Sequence, residues 1–121
     1  MLGDLLSQSA DAEPPQRALD LETKLTLISN ERRRLIITIL DEHGPTRRTE
    51  LAREMAERQT GTRQGTEYKK RYVGIYQSHL PKLEQHDIIT QTDGDIVQPG
   101  ENFGEVLELL VDVRAHQGGS A

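Results

Sequence analysis

The sequence predicts a mainly α-helical domain that carries one short β-hairpin near its C-terminal end. Apolar residues recur at helical spacing over most of the chain, whereas after Asp87 the period changes from helical to alternating. Asp93-Gly94, between two short apolar runs, predicts a tight hairpin turn. At 121 residues the chain has room for one domain with a small core.

The N-terminal part of the chain predicts an unstructured arm followed by two helices. Residues 1–14 are small and polar, so we expect a flexible arm. A first helix is expected over about 15–28, where leucines recur at helical spacing. Asn30, or Ser29 before it, is expected to cap a second helix, and Gly44 is expected to end it.

Two further helices are separated by a polar loop. Thr46 is expected to cap a third helix that runs to about Arg58, and residues 59–65 form a loop with two glycines. The fourth helix is expected over 66–80, capped by its first residue. Pro81 lacks a backbone N–H and should bend the chain there.

The fourth helix has an apolar face and a polar face when it is numbered at 100° per residue. The apolar face consists of Tyr72, Val73, Tyr76, Leu80 and Leu83. The opposite face consists of Glu67, Lys70, Arg71, Gly74 and Ser78, with Gln77 at its border. We therefore expect the apolar face to pack on the preceding helices and the polar face to protrude.

The C-terminal part predicts the hairpin and a last helix. The strands are expected over 88–92 and 95–98, the helix over 101–115, and a tail over 117–121. The apolar stripe of this helix consists of Phe103, Val106, Leu107, Leu110 and Val113. Such a stripe is wide for a helix that contacts only its own domain, which favours a dimer interface. A two-sided contact within the chain is the alternative.

Positive charge is concentrated in residues 47–82. The whole chain carries net charge −5, but this window holds nine Lys and Arg against four Glu. An acidic protein with one basic segment can bind a polyanion there while the rest of its surface repels one. A solvated charged face is the alternative interpretation.

Helix, helix, glycine-containing loop, helix and hairpin is the order of a winged helix-turn-helix, in which two helices brace a third. The polar face of the third helix can then enter a DNA major groove, roughly 12 Å wide. The residues expected to read or flank bases are Lys70, Arg71, Gln77 and Ser78. Gly74 would allow close approach of a phosphate backbone; its packing against another helix is the alternative.

A second group of residues is expected to hold phosphates. Arg47 and Arg48 would begin the third helix, where cations oppose the helix dipole, so a phosphate is the natural compensation. Both side chains pointing into water is the alternative. Further backbone contacts are expected from Arg63, Tyr68 and Lys69.

The tip of the expected hairpin is acidic, because it carries Asp93 and Asp95. Hairpins that enter a minor groove usually carry Arg or Lys instead. We therefore expect this hairpin to be structural, or to contact DNA only through Gln91 or through bound inorganic cations. In that case the affinity for DNA should fall less steeply with salt than counterion release alone predicts, or even rise.

Two stretches carry a resemblance to a known group of proteins: residues 28–36, and residues 76–84 followed by Ile88-Ile89. They resemble the opening helix and the recognition-helix end of small winged-helix regulators from halophilic archaea, in the PadR-like group that includes oxidative-stress regulators. The resemblance covers about residues 25–99. An excess of acids and a shortage of Lys are typical of proteins from a high-salt cytoplasm.

The resemblance implies a homodimer that binds palindromic double-stranded promoter DNA and regulates transcription, with one recognition helix per subunit. It also implies N- and C-terminal dimerisation helices, 15–28 and 101–115. The residues at that interface would be Leu21, Leu25, Phe103, Val106, Leu107, Leu110 and Val113. Because the chain has no cysteine, an oxidant would act through Met55 or indirectly.

The sequence argues against the other main classes of function. Without cysteine there is no disulfide, thiol catalysis or cysteine-based zinc site. The four histidines lack metal-site spacing and no nucleophile–base pair is evident, so we expect no enzyme, metal or cofactor. No apolar run is long enough to span a membrane, which predicts a cytoplasmic protein. A winged-helix protein-interaction module without DNA binding is the remaining alternative.

Overall fold

The computed structural model of the chain describes residues 19–63, 65–92 and 94–119. The protein is mainly α-helical and carries a small antiparallel sheet, as the sequence predicts. Its elements are α1 (Leu21–Leu27), α2 (Glu31–His43), β1 (Thr46–Arg47), α3 (Arg48–Thr60), α4 (Gly65–Gly74), a π-helical turn (Ile75–His79), α5 (Leu80–Gln85), β2 (Ile89–Gln91), β3 (Ile96–Pro99) and α6 (Phe103–Gly119). The expected arm over 1–14 lies outside the described residues.

The first two helices begin at residues whose side chains cap them. Asp20 accepts a hydrogen bond from the Thr23 amide at 2.9 Å, so α1 begins at Leu21. The first residues of the helix expected over 15–28 lie outside the described residues. Asn30 accepts from the amides of Arg32 and Arg33, which confirms it as the cap of α2. Gly44 ends α2 with a φ of 75°, a value that favours glycine.

The expected cap at Thr46 is wrong, because Thr46 and Arg47 form a short strand. Thr46 pairs with Val97 and Arg47 with Ile96, and the Thr46 hydroxyl donates to the Gly44 carbonyl at 2.8 Å. The cap position of α3 is Arg47, whose side chain makes no capping hydrogen bond. The pairing partner lies fifty residues away, so no local sequence signal marks this strand.

The sheet has the strand order β1-β3-β2, with both pairs antiparallel. In the hairpin, the Thr92 amide donates to the Ile96 carbonyl and the Asp95 amide donates to the Thr92 carbonyl. The connection therefore spans three residues rather than the two of the expected turn, and β3 begins one residue late. Asp95 has a φ of 64°, in the left-handed region that closes such loops. Asp93 lies outside the described residues.

The helical stretch that follows the polar loop contains a wide turn. The Leu80 amide donates to the Ile75 carbonyl, five residues back, immediately before Pro81. This turn inserts one extra residue into the helical stretch. A numbering at a uniform 100° per residue that fits the residues after the turn therefore assigns the residues before it to the wrong face. Ile75 is consequently fully buried, whereas Val73 and Tyr76, expected on the buried face, are about half exposed (50% and 52%).

The core lies between α2, α3, α5, the sheet and α6, and each buried aliphatic side chain stabilises it by roughly 1.5–3 kcal/mol. Its fully buried large side chains include Leu27, Ile36, Ile37, Ile39, Leu40, Leu51, Met55, Ile75, Leu80, Leu83, Ile88 and Ile89. Asn102 donates to the His86 carbonyl at 3.0 Å, and α6 begins at the next residue. This helix runs on to Gly119, four residues past its expected end.

Candidate nucleic-acid interface

The cations of residues 47–82 fall into two groups, those in ion pairs and those without a carboxylate partner. The paired cations are Arg48 with Asp95, Arg58 with Glu42 and Glu54, Arg63 with Glu50, Glu54 and Glu57, and Arg71 with Glu67. Within the described residues, no ion pair involves Arg47, Arg53, Lys69, Lys70 or Lys82. The positive charge that remains available is therefore smaller, and more local, than the sequence indicates.

Arg63 fastens the polar loop to α3. Its guanidinium contacts Glu50, lies 2.7 Å from Glu57 Oε1 and lies 3.3 Å from Glu54 Oε1. The carboxylates of Glu57 and Glu50 raise the pKa of the Arg63 guanidinium. The sequence position of Arg63 predicts a contact with a phosphate. In the structure, the charge of Arg63 is instead neutralised by these three carboxylates.

Glu54 joins two arginines into one network. Burial raises the pKa of Glu54, but hydrogen bonds from Arg58 and Arg63 outweigh that effect and lower the pKa on balance. Arg58 also binds Glu42 and thereby lowers the pKa of that carboxyl. The network ties the end of α2, the outer face of α3 and the polar loop together.

Arg71 is a buried structural residue, with 8% of its surface exposed. Its Nε donates to Gln59 Oε1 at 3.0 Å and its Nη1 donates to Glu67 Oε1 at 2.6 Å. The sequence places Arg71 on the protruding face as a base-reading residue. The π-helical turn alters that phase, so the side chain packs against the end of α3 instead.

Arg48 connects three parts of the fold. It forms an ion pair with Asp95 in the hairpin loop, and its Nη1 donates to Gln91 Oε1 at 3.3 Å. Its guanidinium also lies over the ring of Tyr76, 4.9 Å from the centroid. The expected phosphate contact of Arg48 is thus replaced by contacts within the chain, and the Asp95 carboxylate has an internal partner. Gln91 is also engaged, since its Nε2 donates to Glu84 Oε1 at 2.9 Å.

Three tyrosines form a ladder along α4 and the π-helical turn. The centroids of Tyr68 and Tyr72 are 6.1 Å apart, and those of Tyr72 and Tyr76 are 6.2 Å apart with nearly parallel rings. Arg53 lies over Tyr68 at 4.8 Å, and Arg48 lies over Tyr76 at the other end. Both arginines belong to α3, so the ladder fixes the orientation of α4 on α3. Tyr68, expected to contact a DNA backbone, is a member of this ladder.

A shallow groove of about 550 Å³ lies between the start of α2 and the opposite side of α4. We call its lining residues the α4 face: Arg32, Thr66, Lys69, Lys70, Val73 and Gly74. Both lysines are exposed, and the groove contains no carboxylate. A Cβ added to Gly74 would lie 3.5 Å from Arg32 Nη1, so this glycine packs beside α2, as its alternative interpretation states.

The α4 face continues into the π-helical turn through exposed polar residues. Gln77 lies four residues after Val73, and both Gln77 and Ser78 are exposed, as expected for residues that reach a ligand. The next residue, His79, is partly buried and has no hydrogen-bond partner on Nδ1. Burial lowers the pKa of His79, and the nearby charges of Arg33 and Arg32 lower it further.

Arg47 is the remaining exposed cation with an expected DNA contact. Its backbone pairs with Ile96 in the sheet, while its side chain is exposed. The contrast with Arg48 is sharp, because the neighbouring guanidinium is committed within the chain. Of the ten residues expected to bind DNA, five keep exposed side chains: Arg47, Lys69, Lys70, Gln77 and Ser78.

The residues expected at a dimer interface divide between the core and the surface. Phe103, Val106 and Leu110 are buried within the chain itself (7%, 0% and 1% exposed), so their contacts are intramolecular, which was the alternative for α6. Leu107 and Val113 are half-buried against that core. Leu21 and Leu25 of α1 are 58% and 44% exposed, and Val111 of α6 is 53% exposed.

A groove of about 310 Å³ separates α1 from α6. Leu25 and Ile28 line one side, and Leu110 and Val113 line the other. Ser29, Arg34, Arg114 and Gln117 complete its lining, so the surface that the two terminal helices of the described chain share there is partly apolar.

Two further features are absent from the described part of the chain, a cluster of metal ligands and a membrane-spanning helix. Nowhere in it do three or more His, Asp or Glu side chains stand close enough to hold a metal ion. No helix within those residues combines the length and the apolar composition that crossing a bilayer requires.

The chain belongs to the DUF7344 family, described as a domain of unknown function, whose model matches residues 25–97. The matched range contains the last three residues of α1, all of the α4 face and most of the sheet, whereas α6 lies outside it. Comparisons with curated proteins and with solved structures gave no significant match. Membership of this family therefore assigns no activity, and the geometry of the α4 face carries the functional argument.

Proposed function

We propose that this protein is a homodimeric, sequence-specific DNA-binding regulator of transcription that inserts α4 into the major groove. One observation carries the proposal: the α4 face presents Lys69, Lys70 and Arg32 together, without a carboxylate in the groove. Other cations nearby are neutralised by ion pairs, so the remaining positive charge is focused on one protruding helix.

The topology supports a winged helix-turn-helix. If α4, the π-helical turn and α5 are taken as one continuous helical stretch, the elements from α2 to β3 follow the order helix, strand, helix, helix, strand, strand, and the strand order is β1-β3-β2. In such a fold the helix that precedes the hairpin enters the groove, and the hairpin forms the wing. Here the tyrosine ladder holds one side of α4 on α3, which leaves the α4 face directed outward.

The contacts follow from the chemistry of each exposed side chain. Lys69, Lys70 and Arg47 would hold phosphates, since ammonium and guanidinium groups supply most backbone contacts. Gln77 and Ser78 would reach base edges. The wing tip would contribute little, because the Asp95 carboxylate is already bound by Arg48.

The apolar surface of α1 and α6 supports dimerisation. Leu21, Leu25 and Val111 are each about half exposed, and the groove between the helices is partly apolar. A second copy of the chain would cover this surface by a two-fold contact and place two α4 helices on one face of the DNA.

We further propose that the protein regulates oxidative-stress genes, as PadR-like regulators of halophilic archaea do. This part of the proposal rests on the sequence resemblance. The chain has no cysteine, and Met55 is fully buried in the core. An indirect signal therefore fits the structure better than direct oxidation of Met55.

A protein-interaction module without DNA binding is the second candidate function. The observation that favours it is the exposure of Val73 and Tyr76 on the helix that carries the α4 face, since half-exposed apolar side chains suit a protein partner.

The deciding experiment is binding to a genomic promoter library and to random DNA in molar potassium chloride, with the mass of the protein determined in solution. We expect a dimer that enriches sites with two half-sites about one helical turn apart. Replacing Lys69 and Lys70 together by Ala should reduce affinity roughly ten- to hundredfold. Lys82→Ala is the matched control, because Lys82 lies beside α1 on another surface. A folded dimer that enriches no DNA would favour the interaction module.

A further inference from the structure

Val73 is the one large apolar side chain that lines the α4 face. It is 50% exposed, and the lysines one turn before it are exposed as well. Gln77, also exposed, follows one turn after it. A single exposed apolar residue is ordinary on a protein surface. Val73 differs from such a residue because it lies between the two lysines, which would bind phosphates, and the carboxamide of Gln77.

Val73 has no packing role within the described chain that would explain it. The residues of the same helical stretch that pack into the protein are Tyr68, Arg71, Tyr72 and Ile75, all on the other side. The isopropyl group of Val73 instead borders the groove that Arg32, Lys69 and Lys70 line. A ligand in this groove would therefore meet one apolar group surrounded by positive charge.

We infer that Val73 reads the 5-methyl group of a thymine in each half-site of the DNA. This inference rests on the proposed function, and it names the base chemistry that the α4 face selects. Thymine is the only base that presents a methyl group in the major groove, and small apolar side chains recognise it by contact. The lysines would position the helix on the phosphates while Val73 meets the methyl group.

Gln77 extends the reading to a neighbouring base pair. Its carboxamide matches the N6 and N7 edge of adenine, which Asn and Gln recognise with two hydrogen bonds. Gln77 follows Val73 across the start of the π-helical turn, so the two side chains would meet different base pairs. The selected half-site should therefore contain an adenine near the thymine.

The test replaces each thymine of the enriched DNA site by deoxyuridine, one position at a time, and measures the dissociation constant at fixed salt. For the wild-type dimer we expect one sensitive thymine per half-site, with about a fourfold loss of affinity, the effect of one buried methyl group. In Val73→Ala the same uracil substitution should have a clearly smaller effect, because both methyl groups that would contact the thymine are removed.

Thr90→Ala is the matched control, because Thr90 is also exposed but lies on β2, outside the α4 face and outside the apolar surface of α1 and α6. It should retain the sensitivity of the wild type to uracil, even if its overall affinity changes. Thermal melts of both variants should match that of the wild type, since both side chains lie at the surface.

Each outcome separates the inference from the proposed function. Specific binding that tolerates uracil at every position, or that is as sensitive in Val73→Ala as in the wild type, overturns the role of Val73 while DNA binding stands. Failure of the wild-type dimer to bind any DNA specifically overturns both.

Discussion

The guanidinium carbon of Arg48 lies 4.9 Å from the ring centroid of Tyr76, at the point where the hairpin meets the π-helical turn. The same side chain binds Asp95 and Gln91. We expect Arg48→Met to lower the free energy of unfolding by about 1–2 kcal/mol, because a partly desolvated cation–π contact and an ion pair are both lost. Urea unfolding followed by circular dichroism measures the change.

Arg47→Met is the control for that variant, since the two arginines are neighbours with opposite environments. The Arg47 side chain is exposed and has no ion pair within the described residues. Its replacement should change the free energy of unfolding by less than about 0.5 kcal/mol, and it should weaken DNA binding instead. Equal losses of stability in both variants would contradict the role assigned to Arg48.

Lys70 and Arg71 form a second pair of neighbours with different roles. Arg71→Ala should lower the free energy of unfolding by about 1–3 kcal/mol, because the buried Gln59 contact loses its donor. Lys70→Ala should leave stability unchanged and weaken operator binding by about 1 kcal/mol, because one phosphate contact is lost. Denaturation and gel-shift titrations at one salt concentration measure both quantities. Wild-type affinity in Lys70→Ala would remove this lysine from the interface.

Local signals in the sequence predict much of the fold. Asn30 and Gly44 act within a few residues of their own positions, as a side-chain cap and as the glycine at positive φ that ends α2. The ψ of Gly44 is −153°, so this glycine does not adopt the left-handed helical conformation of the expected cap. The hairpin follows the change of hydrophobic period after Asp87, although its loop is one residue longer than expected. The longer loop contains Asp95 at positive φ. An aspartate, unlike a glycine, does not clearly indicate this backbone conformation in the sequence.

The features that the sequence does not predict depend on distant partners or on one altered turn. β1 exists because Thr46 pairs with Val97, and nothing near Thr46 announces it. The wide turn at Ile75 reverses the environments of Val73 and Arg71, which a uniform helical numbering cannot follow. Proline after a polar helix indicates a bend but does not indicate whether the turn before it widens.

The candidate site changes for the same reason. Its lysines are exposed as the sequence predicts, but the charge of Arg63 is taken up by three glutamates from α3. These glutamates are counted in the net charge of residues 47–82, but only the structure shows that they neutralise Arg63. Arg32, outside the basic window, joins the α4 face because α2 packs beside Gly74.

The Glu54 network predicts a loss of stability in acid. Its ion pairs hold the pKa of Glu54 below the usual 4.5 on balance, so their stabilisation is present above that pH and is lost as the pH falls through the lower folded value. Glu54→Gln should lower the free energy of unfolding at pH 7 by about 1 kcal/mol. The difference from the wild type should shrink below about pH 4.5.

Glu108→Gln is the control for that series, because Glu108 is exposed on α6. Melting temperatures between pH 3 and pH 7, measured for all three proteins, give the comparison. A constant gap between Glu54→Gln and the wild type across this range would mean that the carboxylate charge does not stabilise the network.

The apolar surface of α1 and α6 predicts a variant that is folded but monomeric. Leu25 is 44% exposed and borders the groove between the two helices, so Leu25→Asp should fold while its charge prevents a second copy from packing there. Thr90→Asp, exposed on β2, adds the same charge elsewhere and should remain dimeric. Light scattering gives the masses, and a dimeric Leu25→Asp protein would place the interface on another surface.

The Arg48–Asp95 ion pair in the hairpin loop predicts how DNA affinity depends on salt. Binding at Lys69, Lys70 and Arg47 releases counterions and should make affinity fall as salt rises. Arg48 should add nothing to this slope, because its charge is already neutralised by Asp95. Asp95→Asn removes one acid and releases Arg48 from its ion pair, so the slope should become steeper by up to about one unit. Affinity titrations of both proteins over a range of potassium chloride concentrations measure the slopes, and identical slopes would exclude the wing tip from the salt dependence.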